Sequence, residues 1–206
     1  MAGKINRVMV YVDGFNLYFG MVEAGLNQCK WLDINKLIID SVTSNQQVVG
    51  IKYFTSRVSN NPPKQKRQIL YLEALETTGV KIIYGLYKAK EIECNNCGHG
   101  WQISNEKMTD VNIATHLLTD AFTDIYDTAI LISGDSDLVP PIKAVHQYFP
   151  GKAISVFFPP ERHNNTVALA AKGSMSLGRK KLTNNQFSEE VQKPDGYKLN
   201  KPAEWV

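Results

Sequence analysis

Four aspartates occupy places where a folded chain can gather them: Asp13 in Val12-Asp13-Gly14-Phe15-Asn16, Asp110 in Lys107-Met108-Thr109-Asp110-Val111, and Asp135 with Asp137 in Ser133-Gly134-Asp135-Ser136-Asp137. Carboxylates held within about 4 to 6 Å repel one another and raise each other's pKa, so such a group calls for a compensating cation. With oxygen ligands alone and no clustered His or Cys beside them, the natural ion is Mg²⁺ or Mn²⁺ rather than zinc. One or two such ions polarise a phosphoryl oxygen, lower the pKa of bound water and stabilise the leaving oxygen of an in-line displacement. The chemistry implied is phosphodiester hydrolysis.

The elements around these residues must bring them together. Five apolar runs, Arg7–Val12, Val48–Phe54, Val80–Gly85, Thr128–Ser133 and Ala153–Phe158, read as strands buried on both faces, as in a parallel sheet. Between them Ile34–Ser41, Lys64–Thr78, Asp110–Phe122 and Val139–Tyr148 carry apolar residues at helical spacing. The alternation predicts a doubly wound α/β domain, in which ligands bind outside the carboxyl ends of the strands, where the strand order reverses. In the commonest order the first and fourth strands adjoin there, so Asp13 and Asp135 face one crevice. Asp110 precedes Ile113, Leu117 and Ala121 by three, seven and eleven residues, which sets it on the helical stripe that packs on the sheet.

Each acid also has a plainer use. Asp13 before glycine can form a turn, Asp110 can complement a helix dipole, and either Asp135 or Asp137 can cap the helix that begins near Val139. Asn16 and Ser133 read either as substrate-binding groups or as ties between loops. The joint placement of the acids at one sheet edge is what favours ligation over these separate readings.

The pieces VDGFNLYF, EKMTDVNIATHLLTDAF and ILISGDSDLVPPI, in that order and spacing, resemble the NYN domain of the PIN-like nuclease superfamily, in its LabA-like branch. The likeness runs from about Arg7 to Ala170. It implies a three-layer α/β/α PIN-like fold with a central, mostly parallel five-stranded sheet, and a Mg²⁺- or Mn²⁺-dependent ribonuclease site. By this similarity Asp13, Asp110 and Asp135 are the principal ligands, and Asp137 is a further ligand or a carboxylate just behind them. Asn16 matches the polar residue of the first loop. Lys107 is read as meeting a substrate phosphate, with a surface lysine of no function as the other reading.

Tyr87–Lys107 departs from the family's minimal pattern and reads as a small β-hairpin insertion that bears on how substrate enters. Within it Cys94 and Cys97 have the spacing of a zinc knuckle, but a structural zinc needs four ligands. His99, the distant Cys29 or a second chain of a homo-oligomer would have to supply the rest; the other reading is a hairpin without metal. The domain is expected to span 1–172 with this insertion, followed by a loosely attached extension, 173–206, whose Trp205 could dock onto it.

A net charge of +3 is too weak a field to coat a nucleic acid, so any RNA or DNA must meet a local basic surface. Lys64, Lys66, Arg67, Lys88, Lys90, Arg162, Lys172 and Arg179 to Lys181 are candidates for it, and Tyr18, Phe19 and Trp101 for stacking on unpaired bases. RNA is the likelier substrate class on the resemblance. No stretch approaches the roughly 18 to 20 apolar residues that span a bilayer, and the three cysteines do not suggest a disulfide framework. A cytoplasmic protein with no membrane partner is expected. Two other functions remain: a lipase-like reading of Gly-Asp-Ser-Asp-Leu with Ser136 as nucleophile, which leaves Asp13 and Asp110 without purpose, and a binding module of this fold that does not cut.

Overall fold

Val8, Val10 and Val12 face one side of the first strand and Met9 and Tyr11 the other, and all five are buried, so the sheet is covered on both faces. The computed structural model describes residues 5–58, 61–93, 96–98 and 100–205, with side chains outside 86–93 and 101–107. Its central sheet is built from β1 (Asn6–Asp13), β2 (Gln46–Thr55), β3 (Lys81–Tyr84), β6 (Thr128–Ile132), β7 (Ala153–Phe158) and β8 (Gly173–Ser176). The order is β3-β2-β1-β6-β7-β8 with every pairing parallel. The reversal falls between β1 and β6, where Val12 pairs with Ile132. Asp13 and Ser133 are the next residues of these two strands.

The helices divide between the two faces. α1 (Gly14–Glu23), α2 (Ile34–Ile39) and α3 (Pro62–Thr77) bury Leu17, Leu37, Leu72 and Leu75 against Val8, Val10 and Val12. On the other face α4 (Thr109–Phe122), α5 (Val139–Tyr148) and α6 (Asn165–Ala170) bury Ile113, Leu117, Ile142, Val145 and Val167 against Met9 and Tyr11. A buried polar knot fixes α4 to the sheet: Lys52 Nζ lies 2.5 Å from Asp120 Oδ2, to which the Tyr11 hydroxyl donates at 2.6 Å. This locks the far end of α4 and leaves its first turn, with Asp110, at the edge where β1 and β6 end.

The hairpin insertion forms a separate two-stranded sheet, β4 (Leu86–Glu93) paired antiparallel with β5 (Gly100–Lys107). Met108, with φ 77, turns the chain from β5 into α4.

The sheet has six strands rather than the five read from apolar runs. β8, Gly-Ser-Met-Ser, is an edge strand with exposed side chains, so it needs no apolar periodicity and shows none. It comes from the stretch expected to hang loosely from the domain, and that stretch is anchored at Leu177, Leu182, Leu199 and Trp205. α7 (Arg179–Asn184) buries Leu182, and a hairpin of β9 (Glu190–Gln192) and β10 (Lys198–Asn200) buries Leu199. Trp205 packs 6.1 Å from the Trp31 ring and 5.8 Å from that of Tyr71. Scattered single apolar residues that each fill a gap leave no period to read. Among the described residues no helix is long and apolar enough to cross a membrane.

Candidate functional site

Asp13 ends β1 and caps α1: its Oδ1 accepts from the Asn16 amide at 3.0 Å. The other oxygen, Oδ2, accepts from the Ser133 hydroxyl at 3.0 Å, and both side chains are buried. The Ser133 Oγ in turn accepts from the Asp135 amide at 3.1 Å. Asn16 reaches across the same gap, its Oδ1 accepting from the Gly134 amide at 3.0 Å. Two loops more than a hundred residues apart are thereby joined into one wall, with Asp13 and Asp135 on either side of Ser133.

Asp135 accepts from the Asp137 amide through Oδ1 at 2.9 Å and caps a one-turn 3-10 helix, Ser136–Leu138, that runs into α5. Of the two acids read as possible caps, Asp135 takes the role, because the 3-10 turn starts the helical path earlier than the apolar pattern suggests. Asp137 stands exposed in that first turn. Asp110 lies half-buried in the first turn of α4. Its pKa is raised, first by burial and then by the charges of Asp135 and Asp137, so these three carboxylates share one electrostatic neighbourhood.

That shift has a measurable sign. A carboxylate whose pKa is higher folded than unfolded destabilises the fold wherever it is ionised, and the penalty disappears once pH falls below the unfolded value of about 3.9. Asp110→Asn is therefore expected to raise the Tm of metal-free protein at pH 7. The gain should shrink as pH is lowered towards about 4. Thermal unfolding in EDTA across that range checks it.

Ser133 is the second test. Without its hydroxyl the Asp135 amide and Asp13 Oδ2 both lose a buried partner. Ser133→Ala should lower the stability of the protein by about 1 to 3 kcal/mol in thermal melts while circular dichroism stays that of the parent.

Two contacts of the 159–164 loop with Gly134 were not legible in sequence. A Cβ on Gly134 would sit 1.8 Å from the Arg162 carbonyl oxygen, so only glycine fits there. Asn164 donates from Nδ2 to the Gly134 carbonyl at 3.2 Å, while its Oδ1 caps α6. The cap itself is readable from Asn164 standing before Thr166-Val167-Ala168; its reach to Gly134 is not. Tyr53 closes the floor, its hydroxyl 3.4 Å from the Gly14 carbonyl and its ring filling the space a Cβ at Gly14 would need.

Lys107 closes β5 and its side chain is outside the described residues, as are Cys94 and His99 and the side chain of Trp101. Cys97 is exposed, and Cys29 is buried with its sulfur 3.6 Å from Thr183 Oγ1. Among the described residues no three His, Cys, Asp or Glu side chains are grouped closely enough to hold a metal ion. The acids share an edge, but the carboxylates are not drawn into a finished ligand set.

Parallel α/β architecture, acids at the strand-order reversal and the loop wall between them define the class. The NYN domain family model matches residues 7–175, and the chain belongs to that family. The chain is similar to 6-hydroxy-3-succinoylpyridine 3-monooxygenase HspA of Pseudomonas putida, at 25% identity over 69% of this chain. The match spans 56% of that enzyme, so this chain corresponds to little more than half of it. Among solved structures it is similar to a protein of unknown function from Vibrio parahaemolyticus, with a TM-score of 0.62 and 20% identity, covering 87% of this chain and 97% of that one. That likeness is one of fold.

Proposed function

We propose that the domain hydrolyses phosphodiester bonds of single-stranded nucleic acid, RNA in preference to DNA, and stands nearest the LabA-like branch of its family. The observation that carries this reading is the chain from Asp13 through Ser133 to Asp135, with Asp110 and Asp137 in electrostatic reach of Asp135.

The donor set is all oxygen and partly desolvated, which fits Mg²⁺ or Mn²⁺ and not a thiolate-loving metal. Asp13, Asp110 and Asp135 would hold the ion, and Asp137, on the exposed rim, would add a ligand or orient its water. When bound, the ion supplies charge for the developing phosphorane oxygens and an acidified water as nucleophile. The chain's own part is positioning. Asp13 is committed through both oxygens to Asn16 and Ser133, so it stays oriented without substrate. Asp135 uses one oxygen on the Asp137 amide and keeps its rotamer by that cap. Asp110 gains from a cation, since burial and two like charges oppose its ionisation.

The test is cleavage of labelled single-stranded RNA by purified protein with Mn²⁺ or Mg²⁺, set against EDTA. Cleavage that needs the ion is expected. Binding without cleavage would make the domain a non-catalytic module. Turnover of a hydroxypyridine with no effect on RNA would align it instead with the activity named for the Pseudomonas relative. Zinc at the hairpin is a separate proposal, checked by elemental analysis of the purified chain.

A further inference from the structure

A lysine lies with its stem nearly covered against α1. Lys30 is 9% exposed, its Nζ lies 4.9 Å from the centroid of the Tyr18 ring, and among the described residues no carboxylate pairs with it. Its stem is covered, and the ammonium at the end stays open to solvent and to an approaching anion. Its neighbours are cations: burial and then the charges of Arg67 and Lys64 lower its pKa. Arg67 gives Nη1 to Glu204 at 2.7 Å, and Lys64 is exposed in the first turn of α3, a 16-residue helix.

The place of this cluster relies on the fold. α1 starts at Asp13, so Tyr18, five residues on, lies about 7.5 Å along the helix from it. Phe15 and Phe19 stack at 6.0 Å, and Tyr18 meets the Phe19 ring edge-on at 5.4 Å, which makes an aromatic strip leading away from the acids. Phe19 is 47% exposed and can take a base on its face. α3 follows β2 and so opens at the same sheet edge, its positive end adding to the field of Lys64. A strand crossing carboxylates needs cations just beyond them.

We propose that Lys30, Lys64 and Arg67, with the Tyr18 and Phe19 rings, form a subsite for the phosphate and unpaired base of a nucleotide next to the one at the acids. This rests on the nucleolytic reading but is tested by binding, so the two can fail separately. The alternative is that Lys30 merely props Tyr18.

In an Asp135→Asn background, binding of one unpaired sequence, as labelled RNA and as DNA, is measured over a salt series. Lys30→Met, which keeps the buried stem, and Lys64→Gln should each weaken both oligonucleotides about five- to tenfold, and each should lessen the log–log salt slope by about 0.7. Lys30→Arg should restore most of the affinity, and Lys143→Gln, exposed on the opposite face, should change neither quantity. The subsite is overturned if Lys30→Met and Lys64→Gln bind with the parent's affinity and slope, or if only Lys30→Met weakens binding and the slope stays fixed. It is overturned also if the parent binds neither oligonucleotide. Cleavage by the unmodified chain beside indifferent variants would overturn the subsite alone and leave the hydrolytic reading standing.

Discussion

Asp135→Asn is expected to lower Mn²⁺-supported RNA cleavage about a thousandfold, equivalent to roughly 4 kcal/mol of barrier, without unfolding the protein. The asparagine oxygen can still accept from the Asp137 amide, so the cap at the start of the 3-10 turn survives. The substitution removes one negative charge and almost nothing else. Rates at saturating Mn²⁺, measured together with the thermal melt, separate the effects: the rate should collapse and the Tm should stay within a few degrees of the parent. Equal cleavage by parent and variant would mean a contaminating nuclease or a different site.

Gly134→Ala carries the second large effect, and here stability and activity should fall together. The added methyl would lie 1.8 Å from the Arg162 carbonyl oxygen, a backbone atom. Gly134 cannot retreat easily, because its amide is held by Asn16 and its carbonyl by Asn164. Relief has to come from parting the 133–137 and 159–164 loops. Overpacking of this kind costs about 3 kcal/mol or more, or about 10 °C of Tm in a chain of this length. Whatever folded protein remains has Asp135 displaced, and a shift near 1 Å can cost about a hundredfold in rate. Gly151→Ala, with nothing within 4 Å of its added carbon, is the control and should be silent.

The residues whose placement could be read from sequence share a physical property: their positions follow from local periodicity. Asp110 falls on the stripe of Ile113, Leu117 and Ala121, and that stripe packs on the sheet. Asp13 and Asp135 each end an apolar run, and a parallel sheet reversing between those runs sets them side by side. Relations that depend on tertiary approach were out of reach. Nothing local to Gly134 indicates that the Arg162 carbonyl will press against it, and nothing in Asn-Gln-Cys-Lys reveals that Lys30 will be covered by Tyr18.

Helix α1 went unmarked for a related reason: its buried positions include Gly14 and Gly20, which add nothing to an apolar count although neighbouring groups press against both. The sixth strand escaped because an edge strand with exposed side chains is shaped by its backbone pairing with β7 rather than by burial. Trp205 was legible as an anchor, but its socket on Trp31 and Tyr71 draws on residues far apart in the chain.

The central claim is that Asp13, Asp110 and Asp135 together hold a divalent ion, and titration with Mn²⁺ followed by electron paramagnetic resonance tests it most directly. The unmodified chain should take up Mn²⁺ saturably, and Asp13→Asn and Asp110→Asn should each weaken that uptake at least tenfold while remaining folded. No saturable uptake by the unmodified chain, or uptake indifferent to both substitutions, would contradict it.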